Sequence, residues 1–202
     1  MGALRDRFWE RPLADLDTAE WEALCDGCGR CCLHKLEDAD TGEIEETNVP
    51  CRLLDCSTAR CSDYPNRKAF VPDCLQLTPS LAGKLPWLPE TCAYRRRAEG
   101  EPLPRWHYLL TGDREDVVRA GVSVAGRVVS ETDAGPLEHH VVEWDDDDEE
   151  DLAYASSWVA GKACVRGQAN EVGLKRPIVL IGCKSYRSRY LQSRNGRHRP
   201  RI

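Results

Sequence analysis

Hydrophobic positions recur at helical spacing only over short stretches of this chain, so the pattern predicts small helices separated by loops. The first helix is predicted after Asp17, an acidic residue that is followed three positions later by Glu20, as at many helix N-termini. Trp21 and Leu24 then share one face of this helix. We expect the helix to end at Gly27, because glycine commonly terminates helices.

The rest of the pattern predicts a hairpin and a few more short elements, so the fold class is α+β. Residues 33–49 surround a turn at 40–42 with the sequence Asp-Thr-Gly, which is typical of a β-hairpin. Prolines keep the helices of the middle region short, at Pro50, Pro65, Pro72, Pro79, Pro86 and Pro89. Three further elements are expected: a helix over 90–99 that stops at Gly100, a helix over 113–120, and a strand over 122–129.

Composition predicts a small apolar core. The 202 residues are enough for one domain with a moderate core, or for one domain and a tail. Only two residues are Phe, and 31% are charged, which leaves little apolar volume for the length. Something other than apolar packing must therefore help to stabilise the fold.

Cysteine is the best candidate for that stabiliser. Nine of the eleven cysteines lie between residues 25 and 92, a density typical of disulfide scaffolds or metal sites. Residues 1–16 contain no apolar run of signal-peptide length. The longest apolar run, 178–183, is far shorter than the roughly 20 residues that a membrane-crossing helix needs. We therefore expect a cytoplasmic protein, with no membrane partner, whose reduced thiols bind metal; an odd cysteine count also fits complete pairing poorly.

Charge divides the chain near residue 145. Residues 1–151 carry 17 basic and 33 acidic residues and end in an acidic run, whereas 152–202 carry 11 basic residues and one acidic residue. We predict a Cys-rich metal-binding domain over 1–144, a solvated acidic linker over 145–151, and a largely disordered basic tail over 152–202. The Arg-rich end could contact nucleic acid through phosphates, but attraction to the acidic face of its own protein explains it equally well. A nucleic-acid partner is therefore not favoured.

The densest cysteine cluster has metal-ligand spacing. In LCDGCGRCCLHKL, residues 24–36, the C-x-x-C spacing occurs twice, first from Cys25, in the last turn of the predicted helix, to Cys28, and then from Cys28 to Cys31. Such pairs recur in zinc and iron–sulfur sites because both sulfurs reach one ion. Ferredoxin-type motifs place their fourth cysteine later, before a proline, whereas here Cys32 follows at once. Adjacent side chains point apart, so Cys31 and Cys32 can serve different metals or different edges of one site. The spacing indicates metal without indicating which metal.

Several separate motifs resemble one known family. The stretches EWEALCDGCGRCCLHKL, TNVPCRLLD, VPDCLQLTP, WLPETCAYR and LPRWHYLLTG occur in order between residues 8 and 144. They resemble the CxxCxxCC family, the YcgN-like bacterial cysteine cluster proteins, described as zinc- or iron-chelating domains of unestablished activity. The resemblance implies eight metal ligands: Cys25, Cys28, Cys31, Cys32, Cys51, Cys61, Cys74 and Cys92. It covers neither the tail from residue 145 nor Cys56, which departs from a pattern whose extra cysteine more often lies near position 59.

Eight thiolates can complete two four-sulfur sites, or one cluster and one zinc, so we regard Cys56 as the surplus cysteine. Cys164 and Cys183 lie beyond the acidic run, with no partner at C-x-x-C spacing, and are not expected to be ligands. His34 and His107 could ligate metal, but packing or structural roles are favoured for both.

Two function classes remain open. The preferred one is a metal-binding protein that holds zinc or iron for structural, storage or delivery purposes. The alternative is a redox or metal-dependent enzyme in which an iron–sulfur cluster or a reactive thiolate acts on a substrate. Near Cys92, the positive charges of Arg95, Arg96 and Arg97 could lower the pKa values of thiols, although most such arginine runs are solvated. An open coordination position would distinguish a catalytic site from a closed structural site. The sequence has no Ser/His/Asp order, phosphate loop or dinucleotide fingerprint.

Overall fold

The computed structural model describes residues 3–144 and the strand Ile178–Ile181. It confirms the α+β class. The helices are α1 Thr18–Ala23, α2 Arg67–Phe70, α3 Pro79–Ala82, α4 Ala93–Glu99, α5 Tyr108–Thr111, α6 Asp116–Arg119 and α7 Glu131–Ala134. Single turns of 3-10 helix occupy Phe8–Glu10, Leu13–Asp15, Arg30–Cys32 and Leu137–His140. The strands are β1 Leu33–Asp38, β2 Ile44–Pro50, β3 Leu54–Asp55, β4 Arg60–Cys61 and β5 Ile178–Ile181.

The predicted hairpin is confirmed as β1 and β2. They pair antiparallel, with Leu33 opposite Pro50 and Glu37 opposite Ile44, and the register shifts once near the start of β1. The side chain of Asp38 accepts hydrogen bonds from the backbone N–H groups of the next turn residues, at 2.9 Å each. This local acceptor explains why the chain reverses where the Asp-Thr-Gly pattern predicted it.

Strand β5 extends the sheet on the other side of β1, so the strand order is β2-β1-β5. Lys35 pairs with Ile181, and Asp38 pairs with Ile178. These four residues belong to the segment 152–202 that the sequence assigns to a disordered tail. The rest of that segment and the acidic run 145–151 lie outside the described residues, and the division of the chain stays a prediction.

Helix α1 begins as predicted and ends earlier than predicted. The Asp17 side chain accepts from the backbone N–H of Glu20 at 2.9 Å, and the Glu20 side chain accepts from Asp17 in return, which is a capping box. The helix stops at Ala23, so Cys25 lies beyond its last turn. The reason is local: the Asp26 carboxylate accepts the backbone N–H of Cys28 at 2.7 Å and forms a turn that competes with the helix.

Three other predicted elements had mixed outcomes. Helix α4 confirms the stop at Gly100 but starts three residues later than predicted, and α6 is shorter than 113–120. The strand predicted over 122–129 is wrong. Val124 donates its backbone N–H to Cys28 at 2.9 Å, and Val129 donates to Asn48 at 2.9 Å. The valines are buried, but their backbone groups bond at separate points, Val124 to the cysteine loop and Val129 to β2, so no continuous strand forms over 122–129.

The core consists of several small clusters that incorporate cysteines, as the low Phe content led us to expect. The cluster beneath α1, α3 and α4 contains Leu24, Ala82, Leu88, Cys92, Ala93, Tyr94 and Leu103. Cys28 belongs to a second cluster with Trp106, and Cys51 belongs to a third cluster with Val71. The thiols are thus part of the packed interior, and changes at them will be felt as packing changes as well.

A buried charge network links the cysteine loop to the hairpin. Arg30 and Lys35 have 2% and 0% of their surface exposed. Arg30 lies 2.6 Å and Lys35 lies 3.8 Å from the Glu46 carboxylate. The Lys35 ammonium also donates to the backbone carbonyls of Arg30, at 2.9 Å, and Leu33, at 3.2 Å. Buried cations need such partners, so the network fixes the loop that carries Cys31 and Cys32 against β1 and β2.

In the part of the chain that the structure describes, no helix is both long enough and apolar enough to cross a membrane.

Two glycines of the cysteine loop allow a matched test of this packing. Gly27 and Gly29 both have left-handed backbone angles, with φ of +83° and +81°. A Cβ at Gly29 would lie 2.8 Å from Val124 Cγ2 and 2.9 Å from Ala59 Cβ, whereas a Cβ at Gly27 would meet nothing within 4 Å. Both Ala variants carry left-handed strain of about 1–2 kcal/mol, but only Gly29→Ala adds overpacking of about 1–3 kcal/mol. Denaturant unfolding of both variants at equal metal loading checks this, and equal losses of stability would contradict it.

Candidate metal centre

All eight cysteines predicted as ligands line one cavity of about 400 Å³. They are Cys25, Cys28, Cys31, Cys32, Cys51, Cys61, Cys74 and Cys92. The nine cysteines of the described residues, Cys56 included, are in the thiol form rather than in disulfides. The fold thus brings thiols from several chain segments to one space, although their role as ligands stays a prediction.

The loop after α1 delivers the first four thiols. The Asp26 carboxylate holds the backbone N–H of Cys28, and the carbonyl of Cys28 accepts from Val124 at 2.9 Å. Gly29 then adopts its left-handed conformation, and its carbonyl accepts from the N–H of Cys32 at 3.0 Å. This bond closes the single turn Arg30–Cys32, so Cys31 and Cys32 follow each other on a 3-10 turn with 3.0 residues per turn.

A two-stranded ribbon brings Cys61 back towards Cys51. Cys51 follows β2 directly, and its carbonyl accepts from the N–H of Leu54 at 2.8 Å. Leu54 in β3 pairs with Cys61 in β4. Between the strands, the Asp55 carboxylate accepts from the backbone N–H groups of Ser57, at 3.0 Å, and the following Thr, at 2.9 Å. This turn reverses the chain so that both ends of the ribbon reach the cavity.

Cys74 and Cys92 complete the set from the segments around α2 and α4. The N–H of Cys74 donates to the carbonyl of Val71 at 2.9 Å, and Cys74 packs with Cys51 on Val71. Cys92 caps α4, and its N–H donates to Pro89 at 3.0 Å. Both cysteines are held by short turns that proline or a helix start imposes on the local chain.

Burial keeps several of these thiols protonated. It raises the pKa of Cys28 well above its ordinary value, and the charges of Asp26, Cys31, Cys92 and Cys25 raise it further. Burial likewise raises the pKa of Cys92 to about 12, with Asp26 and Cys31 adding to the shift. Loss of contact with solvent raises the pKa of the Cys25 thiol, and the charges of Asp26 and Cys31 raise it further. The residue as a whole is exposed where it lines the cavity. Without metal, these thiols are neutral at pH 7.

Cys31 behaves differently from its neighbours. A hydrogen bond from the Cys32 side chain and the positive charge of Lys35 lower the pKa of Cys31, although burial opposes them. Burial lowers the pKa of Lys35 itself, and the charges of Glu46, Cys31 and Cys32 oppose that shift. In the metal-free protein, Cys31 therefore carries negative charge more readily than Cys25, Cys28 or Cys92.

The donor chemistry fits a thiophilic metal. Thiolates select zinc and iron–sulfur clusters over hard cations such as Mg²⁺ and Ca²⁺. A cavity of about 400 Å³ also lies in the size range of ligand sites, so it offers more room than a single ion fills. Within residues 3–144 and 178–181, no three His, Cys, Asp or Glu side chains are grouped so that they could hold one metal ion.

Cys56 lies outside this cavity. It lines a separate pocket with Arg52, Asp55 and Ser57, and its carbonyl accepts from the N–H of Gly126 at 2.7 Å. Its side chain packs near the cluster of Leu33 and Leu54, so it is half-buried rather than fully exposed. Cys164 and Cys183, which were not expected to be ligands, lie outside the described residues.

The two histidines are away from the cavity lining. His34 is fully buried in β1, its Nε2 is 3.7 Å from the Glu131 carboxylate, and neither ring nitrogen has a hydrogen-bond partner among the described residues. His107 has Nε2 at 3.1 Å from the carbonyl of Leu24 and accepts the backbone N–H of Leu109 at Nδ1, at 3.2 Å. Burial lowers the pKa of His107, so a neutral ring positions the end of α1.

The arginine run after Cys92 serves the fold of its helix. Arg95 donates to the carbonyl of Leu88 at 2.8 Å and to the Glu99 carboxylate at 3.0 Å. Arg97 donates to the carbonyl of Glu101 at 2.8 Å. Other cations lie nearer the thiols: the buried Lys35 acts on Cys31, and Arg60, Arg67 and Arg114 belong to the cavity lining.

Sequence reasoning missed Asp26, which is buried and lines the cavity. Its negative charge favours the protonated form of four thiols, those of Cys25, Cys28, Cys31 and Cys92. Its signal was its position between two C-x-x-C cysteines. The aromatic lining, Trp21, Tyr64, Trp87 and Tyr94, was also missed. Its available signal was proximity in sequence, because Trp21, Tyr64 and Tyr94 each lie within four residues of a cavity cysteine.

Comparison with known proteins agrees with this site. Residues 24–93 match the CxxCxxCC family model, described as "Putative zinc- or iron-chelating domain". A UPF0260 protein of Rhizorhabdus wittichii is 59% identical over 137 residues, which are 67% of this chain and 94% of that protein. A UPF0260 protein of Gluconacetobacter diazotrophicus is 55% identical over 138 residues, 68% of this chain and 86% of that protein.

A UPF0260 protein of Pseudomonas putida is 51% identical over 140 residues, 69% of this chain and 90% of that protein. No solved structure matches the chain. The cysteine spacing, the shared cavity and these relatives lead to one conclusion: this chain belongs to the UPF0260 family of proteins with a CxxCxxCC domain.

Proposed function

We propose that this protein binds zinc or iron through eight cysteines, for structural, storage or delivery purposes. One observation carries the proposal: the eight cysteines line one cavity, while the ninth, Cys56, lines a different pocket. The family description, a zinc- or iron-chelating domain, supports the same chemistry. Such a site needs reduced thiols, so we propose the cytoplasm as its location.

Metal would also supply stability that the small apolar clusters lack. Structural zinc contributes about 10–16 kcal/mol in small Cys-rich peptides near neutral pH. Whole domains are stable by only about 5–15 kcal/mol. Because the thiols are themselves members of the clusters, metal bonds would tie those clusters to each other. Metal binding and folding are therefore coupled in this proposal.

An iron–sulfur cluster is the second candidate, favoured by the volume of the cavity. About 400 Å³ surrounded by thiols accommodates a cluster more fully than it accommodates one zinc ion. A redox or metal-dependent enzyme would need an open coordination position as well. Metal analysis of protein purified without oxygen separates the candidates: stoichiometric zinc in a colourless protein favours zinc, and iron with acid-labile sulfide in a brown protein favours the cluster. Protein without either metal would contradict the proposal.

Metal removal should unfold the cysteine-rich region. Treatment of the full chain with a chelator under reducing conditions is expected to unfold residues 25–92, because separate small clusters cannot replace the lost metal bonds. Circular dichroism and hydrogen exchange would measure the loss, and readdition of metal is the control. A cooperative thermal transition that remains unchanged after complete metal removal would be incompatible with this prediction.

Metal binding should release protons and weaken as the pH falls. The raised pKa values of Cys28 and Cys92 mean that both are thiols at pH 7.5, so each must lose a proton when it binds metal. Calorimetric zinc titration in buffers of different ionisation enthalpy would count these protons, and Cys28→Ser should lower the count by at least one. Zinc affinity that stays constant between pH 8 and pH 6 would show that these sulfurs are not ligands.

The ninth cysteine provides a matched control for ligand assignment. Cys56 and Cys61 are both half-buried, yet only Cys61 lines the thiol cavity. Cys61→Ser should reduce bound metal and stability, whereas Cys56→Ser should retain the wild-type metal content. Metal analysis and thermal unfolding of both variants check this. Equal metal loss would mean that Cys56 is a ligand and that the set of eight is wrong.

A further inference from the structure

We propose that the eight cysteines divide into two four-thiol sets, each of which binds its own metal centre. This inference rests on the proposed metal binding and adds which cysteines belong together. Set A contains Cys25, Cys28, Cys31 and Cys92. Set B contains Cys32, Cys51, Cys61 and Cys74. Four thiols are the number that a closed zinc site or a four-cysteine iron–sulfur cluster requires.

Set A is one neighbourhood of packing and charge. Cys31 packs against the apolar cluster that contains Cys92 and Leu24, the residue before Cys25. All six pairs among the four thiols interact electrostatically. The Asp26 carboxylate also interacts electrostatically with all four thiols, and it accepts a hydrogen bond from the backbone N–H of Cys28. These four thiols therefore line one part of the cavity wall.

Set B is tied together by backbone and packing contacts. The carbonyl of Cys32 accepts the N–H of Cys51 at 2.9 Å, at the point where β1 and β2 leave the cysteine loop. Cys51 packs with Cys74 on Val71, and Cys61 is close enough to interact electrostatically with both. The Cys32 side chain packs on the cluster of Leu54, the β3 partner of Cys61. Each thiol of set B is therefore linked to another thiol of the set, and Cys32 also packs near the strand partner of Cys61.

The division falls between two adjacent residues. Cys31 and Cys32 are consecutive in a 3-10 turn, where neighbouring side chains leave the axis in directions about 120° apart. Their side chains pack against different clusters, Cys31 on the cluster of Cys92 and Cys32 on the cluster of Leu33 and Leu54, while the two thiols stay close enough for the hydrogen bond from Cys32 to Cys31. The Cys-Cys dipeptide can therefore bind two metals side by side.

Lys35 lies at this junction. Its ammonium interacts with the sulfurs of both Cys31 and Cys32, and it is held by Glu46 and by the carbonyl of Arg30. Four-thiolate zinc carries a net charge of −2, so two adjacent centres repel each other, and a cation near both offsets part of that repulsion. The buried ammonium supplies that charge between the two sets.

Zinc stoichiometry in paired variants of the full chain tests the division. Wild-type protein and Cys56→Ser, loaded with zinc under reducing conditions, should hold two zinc ions per chain. Cys28→Ser and Cys61→Ser should each hold one. The same-set double variant Cys28→Ser/Cys31→Ser should still hold one, whereas the cross-set double variant Cys28→Ser/Cys32→Ser should hold none. Equal zinc content in the two double variants would overturn the division.

Thiol protection in the wild type keeps the test independent of variant folding. After a chelator has removed half of the zinc, exposed thiols are alkylated with iodoacetamide and located by mass spectrometry of single chains. Set A should be alkylated as a group, or set B as a group. Chains that combine modified and protected members of one set would overturn the division alone. Wild-type protein that binds neither zinc nor iron would contradict the proposed function as well.

Discussion

The constraint on which this structure depends is the collection of eight thiols from distant parts of the chain around one cavity. Sulfurs gathered in this way cannot all be ionised without metal, because buried like charges are costly. The protein meets this constraint by keeping thiols such as Cys28 and Cys92 protonated through burial. Short helices and tight turns follow from the same need, since each cysteine must point inward from a different chain direction.

The buried charges have a second role beside the thiols. Arg30, Lys35 and Glu46 form a network that is costly to bury unless every member is paired. It joins the turn of Cys31 and Cys32 to the hairpin, so the most regular part of the fold holds the densest part of the site. Strand β5 adds backbone pairing to the outer edge of β1, which further fixes Lys35. Sheet, charge network and thiol loop therefore act as one support.

Local signals were predictable from the sequence, and signals that depend on tertiary contacts were not. The helix start at Asp17 and the hairpin turn after Asp38 depend on side chains that bind backbone a few residues away, so their patterns are readable. The strand expected over 122–129 has the right residues, but its backbone N–H groups bond at separate points to the cysteine loop and to β2, which no local pattern indicates. The eight cavity cysteines were identified by spacing together with family resemblance. Asp26 escaped notice because a single carboxylate between two cysteines resembles any turn residue.

The same distinction explains why spacing alone did not assign metals to cysteines. C-x-x-C shows that two sulfurs can reach one ion, but Cys31 follows this rule from Cys28 while Cys32 has no partner at that spacing. Its partners come from beyond the hairpin, where pairing of β1 with β2 returns the chain to Cys51. A hairpin inserted between two cysteines thus replaces short spacing as the means of bringing thiols together. It follows that the two adjacent cysteines have different neighbours. Cys31 has Cys28 close in sequence and Cys92 through packing, whereas Cys32 meets Cys51 only after β-pairing.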